Sequence, residues 1–266
     1  PFRRRGDGRA VVRSSVREFL ASEAMHHLGV PTTRALSLTA SRSERVQRPW
    51  YSEAQKQSAS QKHGGDVLQE EPCAMTTRAA PSFIRVGHFE LFGRRARSGD
   101  QVGKRQLEQL ARHTLRREFP HLAAEGRTLP QQLLAMAAEV AERFANMTAE
   151  WLRVGYVQSN FNADNCLVSG RTMDYGPFGF IEDYDPGWAM WVGSGSHYAF
   201  MNQPRAGGQN FQMFARSLVP LLDEGSTLEI GRIIKNYPAV SKKAVQDVFA
   251  RKLGFRRAGP VPSALW

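Results

Sequence analysis

Asp164 and Asn165 stand side by side in "NADNCLVSG", and a second aspartate, Asp174, follows ten positions after Asp164 in "MDYG". A carboxylate beside a neutral amide, with another carboxylate returning over a short turn, is a donor set for a hard, oxygen-seeking cation. Mg²⁺ keeps several waters and needs only one or two carboxylates from protein. A remaining Asp can accept a proton, although an ordinary Asp is a weak base and helps mainly through position. The same residue types also build turns, because Asx side chains bond their own backbone and glycine can take positive φ. On residue types alone, turn and metal site are both open.

The elements that must hold these residues are legible from periodicity. Leu133, Met136, Ala137, Val140, Phe144, Met147 and Trp151 recur every three or four residues, so a long buried helix is expected from about Pro130 to Leu152. It leads into the Asp164-Asn165 loop, a short strand "CLVSG", a turn and Asp174. Ser15-x-x-Glu18 reads as a capping box opening a helix through Leu28, with Val16, Phe19, Leu20 and Ala24 on its buried face and Gly29 ending it. "VPTTRALSL" reads as a strand, and residues 40–72, without apolar period, as a surface insertion or hairpin loop. Ordered core resumes at "CAMTTRAAPSFIRVGHFEL", followed by a helix from about Lys104 to Glu118. "FGFIEDYDPGWAMWVGSGSHYAF" is a connection, and helices near Asn210–Leu222 and Ser241–Leu253 close the pattern.

The 266 residues can bury a sizeable core. With 36 Lys and Arg against 25 Asp and Glu, the net charge of +11 suits nucleic acid, an acidic membrane face or a polyphosphate, without choosing among them. Two distant cysteines, Cys73 and Cys166, exclude a disulfide framework and a zinc-finger spacing. No stretch reaches the roughly 20 apolar residues of a membrane helix, and none reads as a signal peptide. The first residue is Pro1, and the opening runs straight into patterned sequence, so a preceding segment is expected.

Kinase-like phosphotransferases deliver a base-like Asp, a metal-binding Asn and a second metal-binding Asp to phosphates from a hairpin after a long helix. Here base and amide are adjacent rather than spaced, which argues against an ordinary protein kinase. "NADN…MDYGPFGF", taken with "DGRAVVRSSVREFLASEAMHHLGVPTTRALSL" and "TRAAPSFIRVGHFE", closely resembles the selenoprotein O (SelO/YdiU) family of protein adenylyltransferases. The likeness runs from about Pro1 to Arg205 and more loosely to "RKLGF". It implies an α+β, protein-kinase-like (pseudokinase) fold, with a partial small lobe over about 1–100 and a mostly helical large lobe over about 101–266. It also implies AMP transfer from ATP to Ser, Thr or Tyr hydroxyls of proteins, with pyrophosphate released.

Residue by residue, the resemblance makes Asp164 the catalytic base and Asn165 and Asp174 the ligands of Mg²⁺, or of Mn²⁺. Asp174 thereby also touches the nucleotide. Arg78 and Arg85 would hold ATP phosphates, as guanidinium forks suit phosphate oxygens, though either alone reads as a surface arginine. Asp7 and Gly8 would contact the nucleotide, Gly8 allowing close backbone approach; an ordinary turn explains them too. Glu18 would pair with the nucleotide-binding lysine, competing with its capping use. That lysine and its glycine-rich segment lie before Pro1 in the family pattern, so impaired catalysis is expected of these residues alone. Many bacterial members carry His-Gly where Gln158-Ser159 stands, and the eukaryotic selenocysteine has no counterpart.

Cys166 beside Asn165 reads as a redox thiol or, more simply, a buried strand residue. Trp188, Trp191, Tyr198 and Phe200 read as a stacking surface or as packing. The expected partners are ATP and hydroxyl-bearing proteins, with no specific nucleic acid and no membrane span. Mitochondrial location is implied for a eukaryotic source and cytoplasmic for a bacterial one. A kinase-like phosphotransferase, an inactive pseudoenzyme and a basic binding module stay as alternatives.

Overall fold

The computed structural model describes residues 7–52, 65–123, 126–190 and 192–255. It is an α+β chain that divides into two compact units, one of residues 1–24 and 34–79, the other of residues 25–33 and 80–266.

In the first unit, β2 (Arg34–Trp50) and β3 (Val67–Ala79) form a long antiparallel hairpin, and the two-residue β1 (Ala10–Val11) adds to the far side of β3. Its register runs from Arg34 opposite Ala79 to Trp50 opposite Val67, with irregularities between Ala35 and Ser37 and between Ala40 and Arg45. Residues 40–52 and 65–72, expected as an insertion or hairpin loop, are therefore largely the arms of this hairpin. Both faces of β2 are substantially solvated, so no core face imposes the period-two alternation by which a strand is read. The segment 53–64 of the expected insertion lies outside the described residues.

Helix α1 (Val12–His27) starts three residues before Ser15, so the expected capping box does not exist. The buried stripe also differs from the expected one. Val16, Leu20 and Ala24 are exposed, whereas Val11, Ser15, Ser22 and Met25 are buried. Spaced four and three apart with Glu18 between, these define a face that two small serines conceal from a hydrophobicity reading. Gly29 ends the helix in the left-handed region, φ 77°, as read.

The second unit is helical, built from α2 (Val86–Arg97), α3 (Gln101–Glu118), α4 (Leu129–Arg153), α5 (Gln203–Leu218) and α6 (Glu224–Lys252). Every member of the expected α4 stripe is buried to 1% exposure or less. Each large apolar side chain so buried contributes about 1.5–3 kcal/mol before packing losses. A capping box at Thr128 and Gln131 starts α4. Helix α2 went unread because "RVGHFELFGRRAR" carries few apolar residues; only Val86, Phe89 and Gly93 are buried. Helix α6 begins at Glu224 and runs through Pro238, an internal residue that normally marks a break. No helix of the described residues is long and apolar enough to cross a membrane.

After α4 the chain forms a small antiparallel pair, β4 (Tyr156–Gln158) and β5 (Phe178–Phe180). Trp151, Tyr156, Phe161, Tyr175 and Phe178 pack edge-on and stacked, with ring centroids 4.8–5.8 Å apart. The expected strand "CLVSG" is instead a loop held by isolated bridges, Arg85 with Leu167 and Cys166 with Thr172. At its tip Gly170 takes φ 70°. The loop is pinned to α4 by Trp151 Nε1 donating to Thr172 Oγ1 at 2.8 Å.

Candidate active site

Asp164 and Asn165 lie in a single 3-10 turn (Ala163–Asn165), capped by Asn162, whose Oδ1 accepts from the Asp164 N–H at 2.9 Å. The turn reading is thus correct for the backbone, and it leaves the Asp164 carboxylate out of the cap. Asn165 Nδ2 donates to the carbonyl of Asn160 at 2.9 Å. That bond fixes which end of the amide is nitrogen, so Oδ1 is the end available to a cation.

Asp174 returns to the same segment. Gln158, 1% exposed, donates from Nε2 to both the carbonyl oxygen and Oδ1 of Asp174, at 3.2 and 3.3 Å. Residues 158 and 160, two apart in one strand exit, therefore anchor Asp174 and Asn165 respectively. A neutral amide oxygen and a carboxylate brought together on one backbone segment fit Mg²⁺ in donor chemistry. Among the described residues no group of three or more His, Cys, Asp or Glu is placed to hold a metal.

Arg85 joins this group from the residue preceding α2. Its Nη1 donates to the Asp164 carbonyl at 3.0 Å, while its Nε is buried without a partner among the described residues. An orphaned guanidinium donor is costly unless an anion or water meets it, and a phosphate oxygen is a natural acceptor. The Arg85 N–H is taken by His88 Nδ1 at 3.2 Å. Desolvation, then the Arg85 guanidinium, hold the His88 pKa below its ordinary value, with Asp164 opposing. A neutral imidazole is what that acceptor role requires.

Gly87, in the first turn of α2, is a contributor that sequence reading missed. A Cβ there would sit well inside van der Waals contact distance of Asp164 Oδ1. Only glycine lets the carboxylate lie against the helix start, where the partial positive charge of the macrodipole favours an anion. Nothing in "RVGHFE" marks that glycine as different from a turn residue.

The first unit holds the other four expected residues. Glu18, on the cryptic α1 stripe, meets Arg78 of β3, Oε2 to Nη2 at 2.5 Å, with side chains 29% and 12% exposed. Two residues assigned to separate partners, a lysine and a phosphate, are thus bonded to each other. Asp7 grips Arg48 of β2 through both oxygens, at 2.7 and 2.9 Å, and caps the Arg9 N–H at 2.9 Å; Gly8 takes φ 72°.

The hydrogen bond from Arg48, then that from the Arg9 backbone, lower the Asp7 pKa to about 2. A lowered carboxylate pKa contributes stability that is complete above the unfolded value, about 3.9, and is lost as pH falls through about 2. Melting temperature in Asp7→Asn is accordingly expected to fall less steeply than in the parent between pH 4 and 2. Parallel curves in thermal melts would remove this contribution.

Other candidates resolve as packing. Cys166 is 1% exposed, and burial raises its thiol pKa well above the ordinary value, so it is no reactive thiolate. Phe200 and Trp188 pack on Leu152 and Val157, and Trp191 lies outside the described residues.

The family model for protein adenylyltransferase SelO matches residues 1–263. The chain belongs to the SelO family. It is 41% identical over 261 residues to a protein nucleotidyltransferase YdiU of Rhodopirellula baltica, covering 97% of this chain and 44% of that one. To the protein of the same name from Aromatoleum aromaticum it is 40% identical over 267 residues, covering 46% of it. To that of Xanthomonas euvesicatoria it is 43% identical over 233 residues, covering 41%. The chain thus spans less than half the length of these SelO-family relatives.

Proposed function

We propose that the chain is the catalytic portion of a protein adenylyltransferase, a single kinase-like α+β domain that moves AMP from ATP to Ser, Thr or Tyr hydroxyls of other proteins. The observation that carries this reading is the convergence of Arg85, Asp164, Asn165 and Asp174 on residues 158–167, with a partnerless guanidinium nitrogen beside the carboxylate turn. Membership of the SelO family supports the nucleotidyl chemistry.

In this mechanism the Asp164 carboxylate takes the proton of the target hydroxyl. The hydroxyl oxygen forms a bond to the α-phosphorus, and the bond from that phosphorus to the β-phosphate bridging oxygen breaks, releasing pyrophosphate. The contribution of Asp164 is orientation: the Asn162 cap, the Arg85 bond to its carbonyl and the absent side chain at Gly87 fix where the carboxylate points. Arg85 binds phosphate oxygens with its remaining donors. Asn165 and Asp174 would hold Mg²⁺, or Mn²⁺, which when bound supplies charge neutralisation at the phosphates.

The test is label transfer by the longest polypeptide the reading frame encodes, given ATP labelled at the α or the γ phosphate. Protein-bound label is expected from α only, with Mg²⁺ and not with EDTA. Label from γ only would replace this reading with a kinase.

A further inference from the structure

We infer that Gln158 is the positioning residue for the metal carboxylate Asp174, with the far end of its amide held by Tyr156; this rests on the adenylyltransferase reading of Asp174. The three side chains form one directed chain. Tyr156 O–H donates to Gln158 Oε1 at 2.8 Å, and Gln158 Nε2 donates onward to the carbonyl and Oδ1 of Asp174. Tyr156 and Gln158 are 0% and 1% exposed, so both lie out of reach of bulk solvent.

An amide has two ends of nearly equal shape, and a flipped Gln158 would press a carbonyl oxygen against a carboxylate. The Asp174 carbonyl and Oδ1 forbid this, because both are acceptors only, so Nε2 faces them and Oε1 is left toward the Tyr156 hydroxyl, from which it accepts. The backbone is fixed as well: Gln158 N–H donates to Gln203 Oε1 at 2.9 Å, and Gln203 Nε2 donates to the carbonyls of Tyr156 and Phe200 at 2.8 and 3.2 Å. Gln203, at the start of α5, is itself 0% exposed. Neighbouring aromatics Tyr175 and Phe178 close around Tyr156, leaving the amide little room to turn.

The chemistry of the donor matters. A lysine or arginine at position 158 would neutralise Asp174 and compete with a cation. A carboxamide orients the carboxylate while leaving its full negative charge for the metal, the role that outer-sphere partners play in metal proteins. By grasping both the backbone oxygen and Oδ1 of one residue, it sets loop and rotamer together.

The experiment measures Mn²⁺ binding by electron paramagnetic resonance in the presence of α,β-methylene ATP, which resists cleavage, using the longest encoded polypeptide. Asp174→Ala is expected to lose binding. Gln158→Met, matched in length, without an N–H donor and with only a weak sulfur acceptor, is expected to weaken Mn²⁺ about tenfold or more. It also removes the Oε1 acceptor of the Tyr156 hydroxyl, so its melting temperature is expected to fall. The double variant Tyr156→Phe with Gln158→Met removes the hydroxyl together with its acceptor and is expected to recover melting temperature but not Mn²⁺ affinity. Recovery of both in the double variant would reduce Gln158 to a packing residue and overturn the inference. Loss with Asp174→Ala but unchanged affinity in Gln158→Met would overturn it while sparing the metal reading. Unchanged binding in Asp174→Ala would remove both.

Discussion

Asp174→Ala is expected to lower Mg²⁺-dependent AMP transfer on the order of a thousandfold or more, with little change in melting temperature. The size follows from what is removed: a metal that stabilises transition-state charge contributes several kcal/mol, and each 1.36 kcal/mol is tenfold in rate. The fold survives because the loop does not hang on this carboxylate. Gln158 keeps the Asp174 carbonyl as acceptor. On either side, Met173 and Tyr175 are buried, Thr33 Oγ1 donates to the Met173 carbonyl at 2.9 Å, and Trp151 holds Thr172. Initial rates with α-labelled ATP, beside thermal melts, check both halves. More than about a tenth of parental activity would mean that Asp174 is not a metal ligand. Asp174→Asn separates charge from shape: it keeps the contact with Gln158 possible and removes the negative charge, so its rate is expected near that of the alanine variant.

How much of this was legible follows the physics of each element. Helix α4 could be read almost to the residue, because a helix buried along one stripe must repeat its apolar residues every three or four positions. Helix α1 was placed but rotated, since its inner face uses Ser15 and Ser22, small residues that bury well without scoring as apolar. The start of β2 was read as a strand in "VPTTRALSL", but the rest of the hairpin of β2 and β3 escaped because solvated strands need no alternation. At the site, the types and spacing of Asp164, Asn165 and Asp174 carried their grouping. Their anchors did not show: Gln158 stood out only as an unusual neighbour, and Asn160 and Asn162 looked like loop polarity. The Glu18–Arg78 pair was hidden for a different reason, as a contact between residues 60 positions apart is written in neither local pattern.

Gly87→Ala is expected to cost about a hundredfold in AMP transfer while holding or raising stability, an opposition that only a site role explains. Gly87 occupies a helix position with ordinary negative φ, so alanine is permitted there and gains up to roughly 1 kcal/mol in helix propensity. The new methyl meets the Asp164 carboxylate, with the Ala163 carbonyl at 3.4 Å, near ordinary contact. What yields is the free end of a side chain rather than backbone: the Asn162 cap and the Arg85 bond both engage main-chain atoms of residue 164, so the turn stays and the carboxylate swings away. A displacement of about 1 Å in a catalytic group can cost on the order of a hundredfold. The loss should fall on the rate with saturating ATP, not on Mn²⁺ binding, because Asn165 and Asp174 are held through residues 158 and 160 and do not feel the methyl. Parental activity in Gly87→Ala would show that Asp164 acts without a fixed orientation, whereas a lowered melting temperature would place the clash in the backbone instead.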